Sequence, residues 1–164
     1  MIQIFDNFMD NDIKNVLENH FLSVPHYYGH FSTETSNRFY ATDMDMKNPL
    51  IMCVAEKLKK IKLITENKVN FLRTYINVQH NHMDGSFHGD DGDITFLLMS
   101  SKTLKEGSGQ FQIKINNDNT NIKSIDFVQN RLIMFKASWE HRGMAPLEPN
   151  IPRITLAFKS EFIR

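Results

Sequence analysis

The spacing of apolar residues changes once along this chain, and that change limits the fold more than any other feature. From about residue 70 onward the period is two. In the segment Phe71-Leu72-Arg73-Thr74-Tyr75-Ile76-Asn77-Val78, Leu72, Thr74, Ile76 and Val78 fall opposite Phe71, Arg73, Tyr75 and Asn77, as side chains do on successive positions of a strand. Ile94 to Met99 is a continuous apolar run suited to a buried strand. Phe111, Ile113 and Ile115 alternate with polar neighbours. Ile122–Phe127 and Arg131–Phe135 bracket a turn at Gln129-Asn130. Ile154, Leu156 and Phe158 alternate with Arg153, Thr155 and Ala157.

Before residue 70 the period is helical. Asp10 is positioned to cap a helix from about Asn11 to Phe21, with Ile13, Val16, Leu17 and Phe21 on one face. Asn48-Pro49 opens a second helix, with Pro49 at the favoured first position. Leu50, Ile51, Val54, Leu58 and Ile61 form its apolar stripe, and Lys57, Lys59 and Lys60 form its solvated face. The stretch from Leu22 to Met46 has no clear period and reads as loop. Its aromatic part, with Tyr27, Tyr28, Phe31 and Phe39, reads as a core-covering loop, with a substrate lid as the alternative. Two helices followed by many short strands predict a mainly β (α+β) chain: an antiparallel jelly-roll with the helices packed on one sheet. The expected organisation is a single domain over 1–164, with helical support at 1–68 and the roll at 69–164.

Composition removes several functional classes. Nineteen basic and nineteen acidic residues cancel, so bulk charge gives no nucleic-acid signal. The single cysteine, Cys53, rules out a disulfide framework and a multi-thiolate zinc site. No apolar run approaches the ~20 residues of a membrane span, and no secretory signal opens the sequence. The expectation is a cytoplasmic protein. Any metal would have to use the seven histidines and the carboxylates.

The densest polar cluster runs from His80 to Asp93, between two expected strands. A polar turn-forming loop is one reading. A second is a metal site at His80-x-His82-x-Asp84, a partial match to metallo-β-lactamase and cupin patterns. It lacks the further His or Glu those patterns need. A third is His88-Gly89-Asp90. Ligands at i and i+2 of an extended segment point the same way, and a small residue between them leaves the backbone uncrowded. A third ligand must then come from elsewhere, and His141, between two later strands, is placed to supply it. Two His and one carboxylate on one face of an octahedron leave positions open for small molecules. Arg153 and Thr155 share a strand face, where an Arg fork and a hydroxyl could hold a carboxylate. The competing reading of Arg153 is a surface residue paired with Glu148 or Glu161. Trp139 reads as a packing residue, and His20, His26 and His30 as ordinary surface or loop residues.

Taken in order, these segments resemble the 2-oxoglutarate- and Fe(II)-dependent oxygenases of the prolyl 4-hydroxylase type, including the short viral and bacterial forms. The matching pieces are Gly85-Ser86-Phe87-His88-Gly89-Asp90-Asp91, Thr95-Phe96-Leu97-Leu98-Met99, Gly107-Ser108-Gly109-Gln110-Phe111, Asn130-Arg131-Leu132-Ile133-Met134-Phe135, His141-Arg142, and Arg153. The likeness spans about residues 70 to 162. It implies a double-stranded β-helix in which His88, Asp90 and His141 bind Fe(II). Arg153 would pair with the distal carboxylate of 2-oxoglutarate, and Tyr75 and Thr155 would join that contact. It implies hydroxylation of a C–H bond, with 2-oxoglutarate and O2 converted to succinate and CO2 and with ascorbate a candidate reductant. A peptidyl proline in a peptide or protein partner is the implied substrate. A metal-binding jelly-roll without oxygenase activity, or an oxygenase acting on a small molecule or nucleic acid, is the alternative. Met99, Ser108, Gln110 and Asn130 depart from the family pattern, and none of them is a proposed iron ligand.

Overall fold

The computed structural model describes residues 1–163. In chain order the elements are β1 (Ile2–Phe5), α1 (Asn11–Ser23), β2 (Tyr27–His30), β3 (Phe39–Asp43), α2 (Pro49–Leu58), α3 (Lys62–Asn67), β4 (Val69–Gln79), β5 (Ile94–Met99), β6 (Phe111–Lys114), β7 (Ile122–Ile125), β8 (Leu132–Lys136), β9 (His141–Gly143) and β10 (Arg153–Phe162). The strands form a seven-stranded sheet in the order β1-β8-β5-β10-β4-β3-β2 and a three-stranded sheet in the order β7-β6-β9. Every pairing is antiparallel. The result is a double-stranded β-helix with helices on the outer face of the larger sheet.

Strand alternation sorts side chains into two cores. Ile76 and Val78 of β4, Phe96 and Leu98 of β5, Leu132 and Met134 of β8, and Ile154, Leu156 and Phe158 of β10 face the helices. There they meet Leu17, Phe21, Ile51, Val54, Leu58 and Ile64. The opposite faces of the same strands turn inward. Tyr75, Leu97, Met99, Ile133, Phe135 and Ala157 pack there against Phe111, Ile113, Phe127 and Trp139. Each fully buried aliphatic or aromatic side chain contributes roughly 1.5–3 kcal/mol. Because both faces of the central strands are covered, β5 is apolar at nearly every position.

Local departures from the expected pattern have local causes. Residues 22–46 are mostly loop as expected, but two short strands, β2 and β3, form there and extend the large sheet through the β3–β4 pairing. Cross-strand partners, not periodicity, order that segment. Asp10 stands at the N-cap of α1 without a capping hydrogen bond, and its carboxylate instead meets Lys57 at 3.1 Å. Asn48 does cap α2, accepting from Leu50 N at 2.9 Å. The α2 stripe ends at Leu58, and α3 follows as a separate turn. Val16 is exposed. In β4 the alternation slips where a bulge opposite Lys159/Ser160 pairs Phe71 with Ser160. Phe71 therefore packs on the helix side and Leu72 is exposed.

One turn is fixed by a single residue. Asn130 has φ +67°, a left-handed conformation that Asn tolerates better than most residues. Its buried side chain accepts from Met9 N and donates to Met9 O, both at 2.7 Å. The β8 turn is thereby tied to the segment before α1.

Candidate metal centre

His88 and His141 come together because their backbones pair. His88 N donates to His141 O at 3.1 Å, and His141 N donates to His88 O at 2.9 Å. Each imidazole is then oriented by a carbonyl two residues earlier. Nδ1 of His88 lies 2.9 Å from Ser86 O, and Nδ1 of His141 lies 2.9 Å from Trp139 O. A carbonyl only accepts, so each Nδ1 carries a proton, and each ring in its neutral form presents the Nε2 lone pair. Outer contacts of this kind fix the ring orientation of metal-binding histidines. Burial, followed by the charge of His141, holds the His88 imidazole below its ordinary pKa, which favours the neutral ligand form.

Asp90 completes the group. Its backbone is pinned by Asp90 N donating to Ala137 O at 2.8 Å. Thr95 Oγ1 donates to Oδ2 at 2.8 Å. His141 Nε2 lies 3.4 Å from Oδ2, and His88 Nε2 lies 3.9 Å from Oδ1. Lys159 Nζ approaches Oδ1 to 3.0 Å but outside hydrogen-bonding geometry, so Oδ1 has no hydrogen-bond partner. Burial alone would raise the Asp90 pKa. His141, Lys159 and Thr95 outweigh it and hold the carboxyl ionised. The three ligand atoms lie within 4.8 Å of one another. The donor set of two imidazoles and one carboxylate fits a divalent first-row metal.

Arg153 lies on the inner face of β10, and it is 2% exposed. It pairs with neither Glu148 nor Glu161. Glu148 instead accepts from Ser108 Oγ and Lys105 N, and Glu161 from Asn70. Arg153 Nε donates to Gly109 O at 2.8 Å, and Nη1 donates to Gln79 Oε1 at 2.7 Å. Nη2 is buried without a partner, as is Thr155 Oγ1 on the same face. A buried guanidinium NH and a buried hydroxyl left unmatched are costly unless a ligand takes them. Burial lowers the Arg153 pKa to about 10, so it remains a cation at neutral pH.

One pocket joins the two groups. His88, Asp90 and His141 line it together with Arg153, Thr155 and Tyr75. Leu97, Phe111, Phe135 and Ala157 supply apolar wall. Burial pushes the Tyr75 phenol well above its usual pKa, so it stays a neutral hydroxyl. Two other wall residues were not singled out from the sequence. Gln79 is 3% exposed. It holds Arg153 while its amide donates to Met83 O and Gly143 O. Its alternation with Tyr75 and Asn77 was the available signal. His30, expected to be an ordinary loop residue, lines the pocket from β2, and nothing local in the sequence marks it.

Two glycines show how closely the site is built. A Cβ on Gly143 would lie 2.7 Å from Gln79 Oε1 and 2.8 Å from Arg153 Nη1. Bare backbone there is what lets the guanidinium in. Gly89, between His88 and Asp90, is different. A Cβ there would meet its nearest neighbour, Ala137 O, at 3.7 Å, an ordinary contact, so lack of space does not require glycine. His80, His82 and Asp84 do not assemble. His80 stands edge-on to Tyr40, His82 has φ +67°, and Asp84 accepts from Ala145 N. Among the described residues, the only convergent His/Cys/Asp/Glu group is His88, Asp90 and His141.

No protein family and no curated protein matches the sequence. Solved structures do match the fold. A prolyl-4-hydroxylase from Pseudomonas putida superimposes with a TM-score of 0.76, at 13% identity, over 99% of this chain and 92% of that one. This chain has the fold of that enzyme. A Trichoplax adhaerens prolyl hydroxylase in complex with a hypoxia inducible factor oxygen degradation domain peptide fragment gives a TM-score of 0.74 at 12% identity. It covers 97% of this chain and 82% of that one. HygX from Streptomyces hygroscopicus, with nickel, 2-oxoglutarate and hygromycin B bound, gives 0.72 at 9% identity over 96% and 81%. The double-stranded β-helix shared with these 2-oxoglutarate oxygenases is a likeness of fold. The chemistry has to be argued from the site. Among the described residues no helix is long and apolar enough to cross a membrane.

Proposed function

We infer that this chain is a 2-oxoglutarate- and Fe(II)-dependent oxygenase that hydroxylates a C–H bond, with peptidyl proline as its substrate class. One observation carries the reading. A single pocket places the inward-facing His88, Asp90 and His141 beside a buried, unmatched Arg153 Nη2 and Thr155 Oγ1. His88, Asp90 and His141 would hold the metal. When bound, Fe(II) supplies the redox chemistry that couples oxidative decarboxylation of 2-oxoglutarate to hydroxylation, giving succinate and CO2.

The protein's own residues bind, orient and exclude. Ser86 O and Trp139 O each accept from the Nδ1 side of a ring and so aim both Nε2 atoms inward. Thr95 keeps Asp90 from rotating. Arg153 and Thr155 take the distal carboxylate of the cosubstrate, with Gln79 and Gly109 O holding the guanidinium in place. Tyr75 offers a neutral O–H donor to the same ligand. Leu97, Phe111 and Phe135 keep water from that wall. The peptidyl-proline assignment rests on the prolyl hydroxylases among the fold neighbours. The HygX neighbour, with an aminoglycoside bound, makes a small molecule the second reading.

The test is anaerobic addition of Fe(II) and 2-oxoglutarate to the purified chain. A weak visible charge-transfer band that disappears in His88→Ala is the expected result. No iron binding by the unsubstituted protein overturns the assignment. Succinate release is then measured against proline-containing peptides, nucleic acids and small molecules. Stimulation by another class and never by peptides removes the prolyl reading.

A further inference from the structure

The inner face of β10 carries one group that the proposed reaction does not use. Its inward residues are, in order, Arg153, Thr155, Ala157 and Lys159. Arg153 and Lys159 stand about 20 Å apart along the strand, at ~3.3 Å per residue. Lys159 faces Thr95 on β5 and Arg73 on β4. Its ammonium lies 3.0 Å from Asp90 Oδ1 and 5.7 Å from the centre of the Tyr75 ring. Its side chain is 15% exposed, so part of it meets solvent. Asp90 is its ion-pair partner, whereas the neighbouring Arg73 is already matched by Asp43 at 2.7 Å.

A cation at this point works against the metal. A divalent ion and an ammonium would share one carboxylate at a separation of a few ångströms, where like charges repel strongly. The charges of the loaded site make the conflict explicit. The metal's two positive charges and that of Arg153 are cancelled by Asp90 and the two carboxylates of the cosubstrate, with both imidazoles neutral. Lys159 is then one positive charge in excess, largely buried, and set at the metal end of β10 rather than the cosubstrate end.

We propose that Lys159 is a substrate subsite that takes a carboxylate of the substrate once the metal has engaged Asp90. The inference rests on the oxygenase reading and narrows it to substrates with a carboxylate near the carbon attacked. An acidic side chain beside the target residue of a peptide, or the free carboxylate of a small molecule, would supply the same oxygens.

The test uses the full chain loaded with Mn(II) and 2-oxoglutarate under nitrogen, with carboxyl-13C acetate as probe. Mn(II) broadens the acetate carbon only at short range. Broadening that saturates in the unsubstituted protein, persists in Lys159→Arg and falls about tenfold in Lys159→Met is the expected result. Equal broadening in Lys159→Met, as direct binding at the metal would give, overturns the proposal, and so does its absence in the unsubstituted protein. Mn(II) occupancy is read separately by electron paramagnetic resonance. Lys159→Met is expected to bind Mn(II) several-fold more tightly because a repelling charge is gone. If it loses Mn(II) while Lys159→Arg keeps it, Lys159 only supports Asp90 and the subsite is refuted. If the unsubstituted chain binds no Mn(II), the oxygenase reading itself fails. Acetyl-proline, with its carboxylate free, and acetyl-aspartyl-prolinamide, with only its side-chain carboxylate, separate the two sources by which of them displaces acetate.

Discussion

Replacing Gly143 by alanine asks whether the Arg153 pocket is built as tightly as its geometry indicates. The new methyl would lie 2.7 Å from Gln79 Oε1, 2.8 Å from Arg153 Nη1 and 3.0 Å from its Cζ, whereas ordinary contacts begin at 3.4 Å. Both side chains must therefore retreat by about 0.7 Å at their tips. Neither is free to do so. Arg153 is held by Gly109 O and Gln79, and Gln79 by Met83 O and Gly143 O. At least one hydrogen bond to the guanidinium is lost, which costs roughly 1.5–3 kcal/mol. A loss of about 2 kcal/mol in the bound state corresponds to roughly 30-fold weaker 2-oxoglutarate binding. The assay is anaerobic calorimetric titration of the Mn(II)-loaded protein with 2-oxoglutarate. Metal affinity should be unchanged, because none of His88, Asp90 and His141 is displaced. Gly89→Ala, where the added methyl makes only an ordinary contact at 3.7 Å, is the control that should bind both normally. A 2-oxoglutarate Kd in Gly143→Ala within about threefold of the unsubstituted value would refute the reasoning.

Three other outcomes follow from the same contacts. Thr95→Val removes the donor to Asp90 Oδ2 and should weaken Mn(II) binding by roughly 10–100-fold, with unchanged binding showing that Asp90 is oriented without it. Asn130→Ala loses both hydrogen bonds to Met9 and places a Cβ at φ +67°. It should lower unfolding stability by about 2–4 kcal/mol in urea, and Asn130→Gly by less, because glycine keeps the conformation. The apo protein should lose stability in acid through His88. Its folded pKa lies below the ordinary 6.5, so the unfolded chain takes the proton first. That contribution is present above pH 6.5 and is lost as the pH falls toward the folded value. The urea midpoint should therefore drop below pH 6.5, and less so in His88→Ala. An identical drop in the variant would assign the effect to another group.

Much of the site was legible because it depends on order and alternation. His88 and Asp90 are two apart on extended backbone, and Arg153 and Thr155 are two apart on β10. A strand puts such pairs on one face whatever surrounds it. The same rule, carried further, includes Gln79 on β4 and Lys159 on β10. Their importance was not legible, because alternation gives a face and not a neighbour. Gln79 matters only because its register sets it opposite Arg153. Asn130 was readable as a residue that tolerates the left-handed turn. Its pairing with Met9, across 121 residues, was not.

By itself the sequence determined the change of period from helical to strand-like, the face most core residues take, and the absence of thiolate chemistry. These are local or compositional properties, set by backbone geometry and by which atoms are present. The tertiary structure alone decided that β2 and β3 form within residues 22–46 and that a bulge turns Phe71 toward the helices. It alone brought His141 beside His88 and set Lys159 against Asp90. Each of these depends on contacts between segments far apart in the chain. Such contacts form only when cross-strand pairing and burial outweigh the entropy of closing long loops.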